Sequence, residues 1–339
     1  MRLHWKFLFL TSALISVLAG CVWRNDTKIS GAWRGVHFWL DSDTHARELA
    51  AVLPALSRAG VNIVVIEVNY SYEFRQHPEL RQETYVTRQT ARRLAAVARN
   101  CHIQLVPEFN CLGHQTFGRR VEPLLKMHPE FSETSLATMR QTNFYSLSWC
   151  PLAPGLDATV FDLIDEIADG FQTDAIHVGM DEVYYIADDR CPRCRGKNPA
   201  ELFAAQVNTL HQHIVGEKHW QMLMWADRVI GTKFQGASRY DNPRNDTSAC
   251  ADLIPRDIVM CDWHYEWRKE YPSIAFLAGK GFRVWPAGFL PLKAARQLSE
   301  FSLAQRTNVV GYLATTWNQT SIADAPEWPP IREVLLQWK

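Results

Sequence analysis

The chain has no excess of charge of either sign: Lys and Arg total 36, Asp and Glu total 36, and the formal net charge is zero. A nucleic-acid partner would need a basic patch or stripe, so none is expected. Past the N-terminal segment, no apolar run is long enough to span a bilayer. No Gly-rich phosphate turn follows the first strand signal, which disfavours a doubly wound nucleotide-binding sheet. No repeat recurs at a solenoid period, and nothing calls for a cofactor. Of eight cysteines, only Cys191-Pro192-Arg193-Cys194 forms a close pair. Zinc needs four ligands, and no second pair at ribbon spacing follows. Cys150, or Cys111 with a loop histidine, would complete a site. A local disulfide clip is the alternative, and the sequence leaves both open.

What is present is a chain of 339 residues, 47% hydrophobic, enough to bury a large core. Its first residues carry Arg2 and Lys6, then residues 7–17 form a short apolar run that reads as a secretory signal. The run ends in Leu18-Ala19-Gly20-Cys21, which resembles the lipobox of bacterial lipoproteins. That resemblance implies cleavage before Cys21, lipid on its thiol, and export to the cell envelope with a membrane anchor. The expected organisation is a signal over residues 1–20, a lipidated tether over 21–30 and one domain over 31–339.

From residue 35 strand and helix signals alternate. Strands are expected at 35–40, 61–68, 103–109, from 175, and at 221–226, 257–263, 282–287 and 308–315. Helices are expected at 44–59, 87–100, 157–170, 199–215, 272–279, 293–306 and 330–338. The first carries Leu49, Val52, Leu53 and Leu56 at spacings of three and four, closed by Gly60. Eight strands, each followed by a helix or a long excursion, predict an α/β fold: a single (β/α)8 TIM barrel with its site at the C-terminal strand ends.

Residues 175–185, AIHVGMDEVYY, organise the rest. An apolar run fits a buried parallel strand, and Asp181 and Glu182 stand where it runs out. Neighbours on a strand face opposite ways, so the two carboxylates are expected to do different work unless the backbone turns between them. An ordinary solvated acidic loop is the alternative. Other strand ends gather polar and aromatic groups: Trp39, Glu67, Asn69, Glu108, Asn110, His114, Trp225, Asp227, Trp263, Tyr265, Trp285 and Trp317. Indole rings around carboxylates suit a sugar, whose C–H faces stack on aromatic rings while its hydroxyls need polar partners. Each Trp taken singly fits a core position equally well.

The stretch HVGMDE resembles the His-x-Gly-Gly-Asp-Glu motif of glycoside hydrolase family 20, the β-N-acetylhexosaminidases. Trp33-Arg34-Gly35 is similar to the family's Arg-Gly element, and residues 107–114 to its Pro-Glu … Pro-Gly-His segment. Trp225, Trp263 and Trp317 fall where the family lines its pocket. The resemblance implies substrate-assisted retention, an exception among glycosidases, in which the substrate's acetamido oxygen attacks the anomeric carbon and forms an oxazolinium. Glu182 would be the general acid and Asp181 would orient the acetamido N–H. Tyr265 would donate to the acetamido oxygen, Arg34 and Asp227 would hold the sugar, and His114 and His177 would support the site.

Departures accompany the match. Met180 replaces the family's second glycine and is expected to help set specificity. The family's His and Asp after strand two are absent, and Gln319 replaces a glutamate that binds outer hydroxyls, where it is expected to hydrogen-bond the sugar without a charge. Two other functions remain in play: a non-catalytic glycan-binding lipoprotein, and a metal-dependent hydrolase using His37, His114, His177 and Asp181. The second lacks a His-x-His pair on strand one.

Overall fold

Eight parallel strands run from Trp33 to Thr315: β1 (Trp33–Trp39), β2 (Ile63–Glu67), β3 (Gln104–Cys111), β4 (Ala175–Gly179), β5 (Gln221–Trp225), β6 (Val259–Trp263), β7 (Arg283–Gly288) and β8 (Gly311–Thr315). This computed structural model describes residues 31–117, 120–134, 146–231, 247–305, 307–317 and 319–338. The signal, the tether and Cys21 lie outside the described residues. Each strand pairs with its sequence neighbour, and β1 pairs with β8 from Trp33↔Gly311 to His37↔Thr315 to close the barrel. Closure removes the edges that an open sheet would leave unpaired.

The strands are mostly continuous apolar runs because both faces are covered. All five residues of β2, IVVIE, are buried, as expected for a strand between a barrel interior and a helix layer. Helices α1 (Asp43–Arg58), α2 (Arg88–Asn100), α3 (Leu156–Phe171), α4 (Pro199–His211), α5 (Pro272–Gly279) and α6 (Leu292–Gln305) surround them. Ser42 caps α1 by accepting the His45 N–H at 3.3 Å, and Leu49, Leu53 and Leu56 turn inward. Among the described residues no helix is long and apolar enough to cross a membrane.

The lower barrel is filled, not hollow. Trp285 packs edge-on against Trp33, ring centroids 5.3 Å apart. A Cβ on Gly35 would sit 2.1 Å from the Trp285 ring, so glycine is required there for packing. Trp285 therefore serves the core, although it was expected among the strand-end aromatics. Strand boundaries shift where local bonding dictates. β3 continues to Cys111 through a register irregularity after Glu108, and β8 begins at Gly311, with Asn308 in the left-handed region (φ 58°).

Candidate active site

β4 stops at Gly179, and the chain turns sharply. Gly179 (φ 63°), Met180 (φ 71°) and Glu182 (φ 47°) all lie in the left-handed region. At Gly179 a Cβ would meet Asn110 Oδ1 at 2.2 Å, so only glycine fits. These turns overturn the opposite-facing expectation for Asp181 and Glu182. Both carboxylates reach one atom, His114 Nε2, with Asp181 Oδ2 at 3.1 Å and Glu182 Oε2 at 3.2 Å.

The loop after β3 meets the loop after β4 through Ser146. Its Oγ accepts the His114 N–H and donates to the Glu182 carbonyl, each at 2.9 Å. The His114 ring also stacks on Phe117 at 5.2 Å. Burial disfavours an imidazolium here, but the adjacent Asp181 and Glu182 outweigh it and raise the His114 pKa well above its ordinary value. Tyr184 donates to Glu182 Oε1 at 2.6 Å. Asp181 Oδ1 is buried and has no hydrogen-bond partner among the described residues.

Beneath the carboxylates lies Glu108, fully buried on β3. Trp225 Nε1 donates to its Oε1 at 2.7 Å, His177 Nδ1 stands 3.3 Å from the same oxygen, and His37 Nε2 is 3.6 Å from Oε2. Burial pushes the Glu108 pKa up, yet His177 and His37 together hold it below the usual carboxylate range. Burial likewise disfavours charge on His37, but Glu108 and Glu67 carry its pKa up to about 9. Glu67 is engaged on every side. Asn69 and Asn110 donate to its Oε1 at 2.8 and 2.9 Å, and Trp39 Nε1 donates to Oε2.

Above this floor opens a cavity of about 420 Å³ between Trp39, Trp225, Trp263, Tyr265 and Trp317, with Asp181 and Glu182 in its wall. Trp263 stacks on Tyr265 at 5.2 Å, and Trp317 Nε1 donates to the Tyr265 hydroxyl at 2.8 Å. The apolar faces with carboxylates at one side match the demands of a sugar ring, and the size lies within the range of small-molecule sites.

The structure thus gathers Asp181, Glu182, His114, Trp225, Trp263, Tyr265 and Trp317 around one cavity. His177 and Asp227 lie behind it. Asp227 Oδ2 accepts the Glu182 N–H at 3.0 Å, and Trp263 Nε1 lies 3.4 Å from Oδ1. Burial, and then the Asp181 charge, push the Asp227 pKa up to about 8.

Asp227, expected to hold the sugar, does not line the cavity, and three further expectations fail. Arg34 sits at the start of β1, at the opposite barrel end, where Nη1 donates to the Ala32 and Trp338 carbonyls at 3.2 Å each and Nε to Gly60 O. Five residue steps of about 3.3 Å each separate it from Trp39 at the mouth. Gln319 is exposed and does not line the cavity. Met180 is fully buried in the core and does not line the cavity, against the direct part in specificity expected of it.

Glu67, Glu108 and Asn110 were visible as polar strand ends, but their part in the cavity wall was missed. Phe117 and Tyr184 gave no sequence signal, since their placement depends on loop conformation. Carboxylates and histidines gather in two groups here, His37–Glu67–Glu108 and His114–Asp181–Glu182. Of the set His37, His114, His177 and Asp181, His37 falls in the first group, His114 and Asp181 in the second and His177 in neither, against a single metal site built from those four.

The comparisons agree with this geometry. Residues 45–278, more than half of the chain, match the model of glycosyl hydrolase family 20, catalytic domain. A curated β-hexosaminidase of Vibrio furnissii is 22% identical over 308 residues, covering 88% of this chain and 46% of that protein. A curated monooxygenase of Aspergillus fumigatus is 22% identical over 306 residues, covering 85% of this chain and 53% of its own length. The chain thus spans about half the length of these curated relatives. The two names denote different chemistries, and the family model decides between them. Among solved structures, the chitobiase of Flavobacterium johnsoniae superposes with a TM-score of 0.66 at 17% identity, over 91% of this chain and 48% of that one. An exo-β-N-acetylglucosaminidase of Vibrio harveyi, bound to N-acetylglucosamine, superposes with a TM-score of 0.64 at 16% identity, over 90% of this chain and 54% of that one. These likenesses establish the shared barrel, and with the family match they show that the chain belongs to glycosyl hydrolase family 20.

Proposed function

We propose that the protein is a retaining glycosidase that removes β-linked N-acetylhexosamine with the help of the substrate's own acetamido group. The observation that carries this reading is Asp181. One oxygen is held by His114 while the other, buried at the cavity wall, has no partner among the described residues. An acetamido N–H supplies the donor that such an oxygen lacks. The carboxylate of Asp181, set against the acetamido group, stabilises positive charge developing there.

Glu182 then protonates the leaving oxygen and, in the second half-reaction, takes a proton from the attacking water. Tyr184 orients its carboxyl group through Oε1. The Tyr265 hydroxyl, positioned by Trp317, lines the wall where an acetamido oxygen would lie. The acetamido oxygen bonds to the anomeric carbon as the aglycone bond breaks. Water oxygen then bonds to the anomeric carbon as the acetamido oxygen departs, its proton passing to Glu182, so atoms and charge balance over two steps.

Assay of aryl N-acetyl-β-glucosaminide, N-acetyl-β-galactosaminide and plain β-glucoside tests this. Turnover of the first two alone is expected, and equal turnover of the β-glucoside would exclude participation of the acetamido group. A second reading, glycan binding without turnover, draws on Arg34 and Gln319 lying away from the cavity. It would be favoured by saturable sugar binding that Glu182→Gln leaves intact, with no turnover of any aryl glycoside.

Export with a lipid on Cys21 is part of the same proposal and rests on the Leu-Ala-Gly-Cys sequence. Cys21→Ser should move the protein from the membrane fraction to the soluble fraction. Unchanged membrane association in that variant would remove the support for lipidation.

A further inference from the structure

Apart from the cavity, three cysteines and one glutamate converge where the loops after β3 and β4 meet. Cys150 Sγ lies 3.1 Å from Cys194 Sγ and 3.6 Å from Cys191 Sγ. A carboxylate oxygen of Glu133 joins them, all four ligand atoms lying within 4.8 Å of one another. All four residues are buried, and Glu133 is only 1% exposed. Its Oε1 accepts the Asp188 N–H at 2.9 Å, whereas Oε2 has no hydrogen-bond partner among the described residues.

We propose that Glu133, Cys150, Cys191 and Cys194 form a structural zinc site. Zn–S bonds of about 2.3 Å in a tetrahedron place sulfurs about 3.8 Å apart, near the 3.6 Å between Cys150 and Cys191, while the 3.1 Å between Cys150 and Cys194 would have to widen on binding. A disulfide explains less. It would join two sulfurs and leave the third thiol, together with a buried carboxylate oxygen, without a partner. Divalent zinc engages all four groups and supplies the counter-charge that the buried carboxylate needs. Cys191 and Cys194 flank a two-residue turn, with Cys191 O accepting the Arg195 N–H at 3.0 Å and Cys194 O the Lys197 N–H at 3.0 Å. Arg193, inside that turn, donates Nε to Cys150 Sγ at 3.2 Å and Nη2 to Glu130 O at 2.7 Å, the kind of outer contact that orients a thiolate ligand.

The position explains what the metal would do. Cys191 and Cys194 follow Asp181 and Glu182 along one loop, while Glu133 and Cys150 bracket Ser146 on the other. Zinc would pin together the two loops whose junction holds His114 against both carboxylates.

The test is metal analysis of the full chain purified without chelator, followed by reconstitution with cobalt(II). One zinc per chain is expected, released by a mercurial reagent. Cobalt should give the intense near-ultraviolet thiolate bands and visible bands of a tetrahedral site. Cys194→Ser and Glu133→Gln should weaken or abolish those bands, with Cys101→Ser as the unaffected control. Arg193→Gln should lower metal affinity by about tenfold or more. Zinc-free protein that gives no thiolate–cobalt bands with its thiols reduced would overturn the proposal. So would a native disulfide between any two of Cys150, Cys191 and Cys194, found by peptide mapping.

Discussion

Asp227 Oδ2 accepts the backbone N–H of Glu182 at 3.0 Å, so the residue after β5 fixes the chain at the point where the acid leaves β4. Burial and the neighbouring Asp181 raise its pKa to about 8, which makes it neutral at pH 7. The folded pKa lies above the unfolded value of about 3.9, so its contribution to stability is fully present below that value and is lost as pH rises through about 8. Above that point a second full negative charge would stand beside Asp181.

The alkaline limb of kcat/KM is accordingly expected near pH 8. Asp227→Asn keeps an acceptor for the Glu182 N–H and removes the titration. Its melting temperature should fall less than that of the wild type between pH 7 and 9. Parallel curves for the two proteins would assign the limb to another group.

Glu182→Gln should reduce kcat/KM by about 10²–10⁴ on alkyl glycosides, which need a proton on the leaving oxygen. On nitrophenyl glycosides the first step should be much less impaired, because that leaving group departs as an anion. Asp181→Asn should impair both substrate types alike, since the acetamido group participates in each. The two substrates compared across both variants give the readout. A leaving-group-independent loss in Glu182→Gln would argue against a general acid.

Arg34→Ala should leave KM and kcat within about twofold of wild type while lowering stability. Its guanidinium ties three backbone carbonyls at the closed barrel end. Loss of such charge-assisted bonds costs about 1.5–3 kcal/mol. Denaturant unfolding measures the stability, and a selective rise in KM would instead place Arg34 in contact with substrate.

Met180→Gly sets two effects against each other. Relief of the left-handed backbone returns about 1–2 kcal/mol, while removing a fully buried methionine side chain loses about 2–5 kcal/mol. A net loss is expected, with the ratio of activities on gluco and galacto substrates unchanged. A shifted ratio would restore the specificity role first expected of Met180.

Much of the barrel could be read from residue order because its signals are local. The apolar runs at IVVIE and AIHVG, the intervening helical spacings and the polar groups at strand ends all follow from one period and one alternation. The Asp181–Glu182 pair was legible for the same reason, as a polar break after a buried run. Side-chain direction past a strand end was not. Strand alternation governs only up to Gly179, and three left-handed residues then bring both carboxylates to His114, which belongs to another loop. Arg34 misled because proximity to a strand in sequence does not say at which end of it a side chain stands.

The sequence by itself determined the eightfold alternation, the family and the two carboxylates, since each is written in contiguous residues. Tertiary structure alone decided that Met180 faces the core, that Glu108 is held between His37 and His177, and that Glu133 meets Cys150, Cys191 and Cys194. Those relations join segments far apart in the chain. They depend on how loops close over a barrel, and no local spacing records that.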